Sequence, residues 1–484
     1  MTLAALSAVV PIACVVAAGI AAMVAEAFRD PGERLPIGPL GAIGLGGALV
    51  ASVLLWIRGG ATSFGVVAAD NFGLFVTFVI LIAGLLSLAI SGPVIERERL
   101  PLGEYYALML FAIAGMILMA MATDLLVIFL ALEVLSLGVY ALTGIRRDSP
   151  ASSEAALKYF LLGAFSSAFF LYGIAFTYGL TGSTRLDRVG GLLAAQAMSP
   201  TPLQLVALGL LLVGFGFKVS AVPFHMWTPD AYEGAPASVT AFMSSGVKAA
   251  AFAAFARVFL TAFEPLRPQW TTAVAVIAAA TMILGTVVGV AQTSVKRMLA
   301  YSSIAHAGYL LVALVSANDE GKGAILFYLL SYAVTNIGAF GVIGLIGSLD
   351  RPNDQIRDYA GLWDRHPGLA ALMTIFLLSL GGFPPLAGFI AKWYVFTAAM
   401  QAGQVGLAII GVLTSVVSVF FYLRIVVMMY MTTPDVSTDA PARVSPVPRV
   451  AGVALLASAL LVFYLGVLPA QVLDWAAASI GTIF

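Results

Sequence analysis

The chain has 484 residues, of which 61% are hydrophobic and only 10% are charged, and its 24 Lys and Arg balance its 24 Asp and Glu. A soluble core of this composition has too little polar surface to cover itself. The mean hydropathy of +1.02 therefore indicates a polytopic membrane protein in a lipid bilayer. The balanced charge does not indicate a nucleic-acid partner.

Fourteen apolar runs, each near the ~20 residues that cross ~30 Å of hydrocarbon, predict fourteen transmembrane helices. The predicted spans are 3–27, 38–57, 70–92, 103–121, 124–143, 152–179, 203–227, 236–261, 271–291, 295–316, 323–348, 368–400, 404–430 and 449–474. The longest connections are 182–202, 349–367 and 431–448, so no soluble domain is inserted. We expect an all-α polytopic membrane protein.

The cations of the connections predict how the chain is oriented. Fourteen Lys and Arg fall in odd-numbered connections: Arg29, Arg34, Arg97, Arg99, Arg146, Arg147, Lys296, Arg297, Arg351, Arg357, Arg365, Arg424, Arg443 and Arg449. Six fall in even-numbered ones: Arg58, Arg185, Arg188, Arg257, Arg267 and Lys322. Positively charged loops stay on the cytoplasmic side. We therefore expect a multi-pass protein of the inner membrane with both termini on the outer, periplasmic side.

Four lysines lie in none of these connections: Lys158, Lys218, Lys248 and Lys392. A charge at bilayer depth costs ~2.5–3.5 kcal/mol on insertion scales. Lys248 lies about twelve residues, roughly 18 Å, into its span, and Glu133 is similarly central. Three deep lysines face one deep carboxylate, so a structural ion pair explains only one of them. Amines that burial lets exist either neutral or charged predict a proton relay.

Two of these lysines lie beside predicted helix breaks. Lys218 precedes Pro223, and Lys392 follows the stretch GGFPPLAG at 381–388. Proline frees backbone carbonyls, and at membrane depth such a break is tolerated only where protein or water satisfies them. Broken helices that carry ionisable residues near the midplane are typical of transporters.

The span 323–348 carries a polar stripe. Tyr328, Ser331, Tyr332, Thr335 and Asn336 recur at the spacing of one helical face. Such a stripe either lines a path for water or makes hydrogen bonds between helices.

Further titratable residues are candidates for the secondary relay. His225, just after the first break, has a side chain suited to proton exchange near neutral pH. His306 lies among hydroxyls, where a relay role and core hydrogen bonding are both open. Glu104 lies near a helix end. Lys158 follows Glu154 by four residues, which predicts either a helical ion pair or a site of cytoplasmic proton uptake.

Cysteine and histidine usage bears on cofactors. The one cysteine, Cys14, excludes an intramolecular disulfide and a cysteine-ligated iron–sulfur cluster within the chain. The three histidines are too few and too scattered for a haem pair or a zinc site. We expect no cofactor and no metal here, and we assign any redox chemistry to a partner.

Several motifs closely resemble those of a known family. LEVLSLGVYAL, FKVSAVPFHMWTPDAYEGAPASVTAFMSSGVKAAAF and KRMLAYSSIAHAGY resemble the antiporter-like membrane subunits of respiratory complex I, and among these the subunit N family of bacterial NADH-quinone oxidoreductase. The resemblance implies three N-terminal helices (1–102), two inverted five-helix repeats (103–261 and 271–430), each with one broken helix, and a last helix after a loop (431–484).

The resemblance also implies roles for the buried charges. Glu133 and Lys218 would form the ion pair of one half-channel, Lys248 the central relay, and Lys392 would face the other half-channel. The partners implied are the other membrane subunits of complex I and its peripheral arm. FMN and iron–sulfur clusters are expected in partner subunits, with quinone as the substrate of the complex.

Two other classes compete with a proton-translocating subunit. One is a subunit of a Mrp-type cation/proton antiporter, and the other is a purely structural membrane scaffold. The deep lysines argue against a scaffold. One deep carboxylate among lysines favours protons over sodium, because a sodium site needs clustered carboxylates and hydroxyls.

Overall fold

The computed structural model describes residues 3–30, 36–59, 62–195, 200–347, 354–433 and 447–483. The first helices are α1 (Leu3–Leu6), α2 (Val10–Ala27), α3 (Ile37–Arg58), α4 (Asn71–Glu98), α5 (Leu102–Met121) and α6 (Leu125–Thr143), with a 3-10 turn at Ser7–Val9. A short antiparallel hairpin of β1 (Thr62–Phe64) and β2 (Val67–Ala69) joins α3 to α4 and pairs Phe64 with Val67.

The middle of the chain contains the first broken helix. Its elements are α7 (Pro150–Thr181), α8 (Leu186–Ala195), α9 (Pro202–Lys218), α10 (Trp227–Gly234), α11 (Ala237–Phe242) and α12 (Lys248–Leu260). A π-helical turn, Met243–Val247, joins α11 to α12 without interrupting the span.

The remaining elements contain the second break. They are a 3-10 turn (Glu264–Leu266), α13 (Arg267–Ala291), α14 (Val295–Ser316), α15 (Asp319–Ile346), a 3-10 turn (Ile356–Tyr359), α16 (Leu362–Arg365), α17 (Pro367–Gly381), α18 (Ala387–Gln401), α19 (Val405–Met431), α20 (Arg449–Val467) and α21 (Ala470–Ile480).

The helices confirm an all-α membrane fold. Among the described residues, twelve helices are long and apolar enough to cross a membrane. The other two predicted spans, 203–227 and 368–400, are the two broken helices. The count of fourteen crossings stays a prediction.

Two predicted span ends are wrong, and both involve proline. The third span was predicted to end at residue 92, yet α4 continues through Pro93 to Glu98. Proline within a transmembrane helix is tolerated where neighbouring groups satisfy the freed carbonyl. The last span was predicted to reach residue 474, yet α20 stops at Val467 and α21 begins just after Pro469. The residue before a proline is disfavoured in helical conformation, which places the break there.

Side chains cap several helix starts. Asp124 accepts hydrogen bonds from the backbone N–H groups of Leu126 (2.9 Å) and Val127 (3.3 Å) at the start of α6. Ser294 caps α14 and Asn318 caps α15 in the same manner. These caps satisfy N–H groups that a helix leaves free at its first turn, and so they fix where the central helices begin.

Three spans form the interior. The span Ala237–Leu260 and α15 are buried along their apolar length, and α14 is nearly so. α15 packs against α4, α11, α17, α18 and α20, while α14 packs against α10, α13 and α18. A lysine or histidine on these spans therefore faces protein.

Two backbone connections repeat at a constant spacing. The N–H of Leu125 donates to the Thr184 carbonyl (2.9 Å), and the N–H of Val295 donates to the Asp354 carbonyl (2.6 Å). Val295 lies 170 positions after Leu125, and Asp354 lies 170 positions after Thr184. The return bonds keep the spacing, from Leu186 to Thr123 (3.0 Å) and from Ile356 to Thr293 (2.9 Å). An equivalent pair of backbone hydrogen bonds therefore anchors the start of α6 and the start of α14.

Two of the cations used to predict orientation lie well inside helices, Arg257 in α12 and Arg424 in α19. Arg257 was assigned to an even-numbered connection, but it lies inside α12 with its side chain fully buried. An arginine is buried when a carboxylate pairs with it, and Asp70 fills this role. Arg34, Arg351 and Arg443, three of the odd-loop cations, lie outside the described residues. The orientation of the termini stays a prediction.

Candidate functional site

Lys218 is the last residue of α9, and its side chain is buried. Its Nζ donates a hydrogen bond to Ser136 Oγ on α6, at 2.8 Å. The same Nζ lies 5.8 Å from the ring centroids of both Tyr140 and Tyr159, within the range at which an aromatic face attracts a cation. The predicted deep lysine beside the first break is therefore held by a hydroxyl and two rings.

Aromatic packing fixes the two ends of this break. The Trp227 ring, the first residue of α10, stacks on Tyr159 with centroids 4.1 Å apart. Its Nε1 donates to the carbonyl of Phe217, which precedes the lysine, at 2.9 Å. Trp227 thus satisfies a carbonyl that the break leaves free.

Glu133 and Lys218, which the family resemblance implied as an ion pair, are not in direct contact. Glu133 is partly buried on α6, and its Oε1 accepts a hydrogen bond from Ser167 Oγ at 2.5 Å. The two charges lie within electrostatic range of each other, but the described residues place no carboxylate within 4 Å of the lysine amine. Ser136, one turn after Glu133, receives the amine instead.

A small cavity is lined by Lys218 and by Ser167, which donates a hydrogen bond to Glu133. Its lining residues are Leu132, Tyr140, Gly163, Ser166, Ser167, Phe170, Gly214, Phe217 and Lys218. The space open to the centre of a water molecule is about 10 Å³, which holds about one water. Two serine hydroxyls and the lysine give that water polar partners.

Lys248 follows the π-helical turn and is buried at the centre of its span. Its Nζ donates to the carbonyl oxygen (2.6 Å) and to the Oγ (2.5 Å) of Ser303 on α14. The Tyr332 ring lies 5.4 Å away. Asn336, one turn further along α15, donates to Ser244 Oγ in the π turn at 2.6 Å. A π turn shifts the side chains that follow it, and such turns are frequent at functional sites.

His306 lies between the second and third lysines. Its Nδ1 is 2.6 Å from the Tyr328 hydroxyl, and its Nε2 is 3.3 Å from the Tyr422 hydroxyl. Lys248 and Lys392 both lie within electrostatic range of its ring. Core hydrogen bonding and a relay position were both open from the sequence; the hydrogen bonds to both tyrosines are present, and the relay role stays a prediction.

Lys392 uses the carbonyls that the second break frees. Its Nζ donates to the carbonyls of Leu380 (2.8 Å) and Gly381 (3.1 Å) at the end of α17, and to Ser415 Oγ (2.9 Å) on α19. The Tyr309 ring lies 5.2 Å away. The freed carbonyls predicted from the prolines are therefore satisfied by the lysine itself.

Three of the secondary candidates, His225, Lys158 and Glu104, lie apart from the buried lysines. The described contacts do not join His225, in the first break, to the lysine before it, and its Nδ1 is buried without a hydrogen-bond partner. Lys158 pairs with Glu154 (2.7 Å), as the helical spacing predicted, and also with Asp230 (3.0 Å) of α10. Glu104 pairs with an exposed arginine, Arg147, at 3.0 Å.

The sequence reasoning missed a buried ion pair. Arg257 Nη1 and Nη2 lie 2.5 and 2.8 Å from the two carboxylate oxygens of Asp70. Arg257 also donates to the Ala120 carbonyl (3.0 Å), and its guanidinium lies 4.9 Å from the Phe72 ring centroid. A usable signal was present, since residue 257 falls inside the predicted span 236–261 and residue 70 opens the span 70–92.

The described residues contain no group of three or more His, Cys, Asp or Glu side chains that could hold a metal ion. The described groups are buried amines, hydroxyls and one imidazole, all of which can exchange protons. The fold and this row define a membrane-embedded, antiporter-like translocation subunit.

Comparison with known proteins agrees with this class. The transmembrane region of the NADH:quinone oxidoreductase/Mrp antiporter family matches residues 122–418. NADH-quinone oxidoreductase subunit N of Trichlorobacter lovleyi is 44% identical over 465 residues, covering 96% of this chain and 95% of the relative. Subunit N 2 of Rhizobium meliloti is 46% identical over 391 residues, covering 80% of each chain.

Solved structures give the same result. A chain of respiratory complex I from Thermus thermophilus superposes with a TM-score of 0.81 at 38% identity, covering 96% of this chain and 99% of that one. A chain of the Mrp complex from Dietzia superposes with a TM-score of 0.87, covering 100% of this chain and 98% of that one, but at 22% identity it shows the fold alone. This chain belongs to the NADH:quinone oxidoreductase/Mrp antiporter family, in its NADH-quinone oxidoreductase subunit N branch.

Proposed function

We propose that this chain moves protons across the inner membrane as a subunit of a NADH-quinone oxidoreductase, through a relay of Glu133, Lys218, Lys248 and Lys392. One observation carries the proposal: the three lysine amines are buried, and in the described part of the chain each donates only to uncharged oxygens. An amine held by neutral groups releases a proton more readily than one locked in an ion pair, because no adjacent carboxylate stabilises its charged form.

The order of the groups supports a path with several steps. Lys218 and Ser167, which donates a hydrogen bond to Glu133, both line a space for one water, and His306 interacts electrostatically with both Lys248 and Lys392. Imidazole and hydroxyl groups both donate and accept hydrogen bonds, so they can pass a proton from one amine towards the next. His225, Lys158 and Glu104 stay proposals for proton uptake at the ends of the path, as do Tyr328, Tyr332 and Asn336 for its lining.

The division into two repeats is part of the proposal. Residues 103–261 and 271–430 would each contain one broken helix with one lysine at the break, and the constant spacing of 170 positions between the two backbone connections supports this division. Residues 1–102 and 431–484 would flank the pair.

The rest of the reaction would take place elsewhere in the complex. NADH oxidation and quinone reduction, with FMN and iron–sulfur clusters, would belong to partner subunits, since the deep charged groups of this chain carry protons only. The other membrane subunits and the peripheral arm of complex I would be its partners. Coupling would then reach this chain through the line of buried charges.

Co-purification separates this function from a Mrp-type antiporter. We expect an affinity-tagged chain, extracted from its own membranes in mild detergent, to bring down subunits that contain flavin and iron–sulfur clusters. Their visible absorbance and NADH–ferricyanide activity would identify them. Recovery of only cation-antiporter subunits, with neither signal, would overturn the assignment.

A further inference from the structure

Ser303 is the only described residue to which the Lys248 amine donates hydrogen bonds. The residue is fully buried on α14, and its Oγ also lies 3.4 Å from the hydroxyl of Tyr232 on α10. One serine therefore connects the central lysine to the short helix that follows the first break.

The position of Ser303 corresponds to that of Glu133. The two backbone connections that begin α6 and α14 are 170 residues apart, and Ser303 lies 170 residues after Glu133 (303 − 133). At this position α6 has the carboxylate of Glu133, whereas α14 has the hydroxyl of Ser303, which contacts a lysine directly.

The chemical difference between these two groups decides what each does to an amine. An ionised carboxylate only accepts hydrogen bonds, so it favours the charged ammonium. A serine hydroxyl accepts from the ammonium and can rotate to donate to the neutral amine. Ser303 can therefore hydrogen-bond with Lys248 in both protonation states.

We propose that Ser303 is a positioning residue of the relay, which holds the Lys248 amine in place while it gains and loses its proton and ties it to Tyr232. This inference rests on the proposed relay and adds to it a residue that sets the proton affinity of the central lysine. The Ser303 carbonyl fixes where the amine sits, and the hydroxyl adapts to its charge.

Other titratable groups face this site from the elements packed against it. They are His306 on the same helix, Tyr332 of α15 and Tyr232 of α10. The Ser303 contact is thus the one that a substitution changes most directly.

The test uses the whole purified complex in proteoliposomes, with NADH-driven proton pumping and quinone reduction measured from pH 6 to pH 9. Pumping falls on the alkaline side as the relay amine loses its proton. The hydroxyl stabilises the ammonium more than the neutral amine, because a hydrogen bond to a charged group is the stronger one. Ser303→Ala should therefore move this fall to lower pH by about one unit, roughly tenfold in proton affinity. Ser303→Asp should move it to higher pH, and Ser303→Thr should behave as the parent.

Ser458 gives a matched control, because its hydroxyl is equally buried, on α20, and makes no hydrogen bond within the described residues. Ser458→Ala should leave the profile unchanged. Ser303→Ala and Ser303→Asp profiles that match the parent, or that shift in the same direction, would overturn the positioning role. Lys248→Ala separates the two proposals. Normal pumping by this variant would contradict the relay itself. Lost pumping, together with unshifted profiles for the Ser303 variants, would contradict only the role of Ser303.

Discussion

Asp70 and Arg257 form a two-point ion pair, 2.5 and 2.8 Å long, with both side chains fully buried. Asp70 also accepts a hydrogen bond from the N–H of Gly73 at 2.6 Å, and so caps α4. One carboxylate therefore fastens the start of α4 to the end of α12. Removing one partner of such a pair leaves the other charge buried and uncompensated.

We expect Arg257→Met to destabilise the folded chain by about 3–5 kcal/mol. The measurement is the midpoint of thermal loss of the assembled complex on native gels. Arg257→Met combined with Asp70→Asn should recover part of the loss, because the amide keeps the cap acceptor without a charge. Arg185 pairs with Asp187 on the surface, so Arg185→Met is the control and should leave the midpoint almost unchanged. Equal midpoints for the two single variants would contradict a stabilising role for the buried pair.

Lys248→Arg keeps the positive charge but should remove most of the NADH-driven pumping. Arginine does not release its proton at accessible pH, and its larger head also does not fit the two short bonds to Ser303. Proton uptake per NADH oxidised, measured in proteoliposomes, gives the answer. Full pumping by an assembled Lys248→Arg complex would mean that only a fixed charge is needed here.

Gly382 lies against the Lys392 side chain, so a substitution there tests the position of the lysine amine. It adopts φ +86, and a Cβ added there would lie 3.1 Å from Cδ of the lysine. Gly403 has a similar φ of +73, but its Cβ would meet nothing within 4 Å. Alanine costs roughly 1–2 kcal/mol of backbone strain at either site.

We therefore expect Gly382→Ala to lower pumping, and Gly403→Ala to lower thermal stability by a similar amount while pumping stays normal. Only the first displaces the Lys392 amine from its carbonyls and from Ser415. Pumping that falls equally in both variants would show that backbone strain, and not the lysine, is responsible.

Much of the fold follows from hydropathy alone. Runs of about 20 apolar residues need a bilayer, and the prolines at 223, 384 and 385 mark where helices must stop, so the spans and both breaks were predictable. The hairpin of β1 and β2 and the π turn were not, because each depends on local backbone pairing that composition does not encode.

The site was predictable in its charges but not in its contacts. Lys218, Lys248 and Lys392 stand out because a deep cation is costly and therefore rare. Ser136 and Ser303 look like any other serines in apolar helices, where a hydroxyl usually bonds to its own helix. Their partners come from helices far away in the sequence, which only the packing brings together.

The central claim is that protons cross this chain through its buried lysines, and Lys218→Ala tests it most directly. The measurement is NADH-driven proton uptake per quinone reduced, by complexes that native gels show to be fully assembled. We predict that the variant complex keeps its NADH–ferricyanide activity, because electron input lies in partner subunits, but pumps far fewer protons than the parent. An assembled Lys218→Ala complex that pumps as many protons per quinone as the parent would contradict the relay.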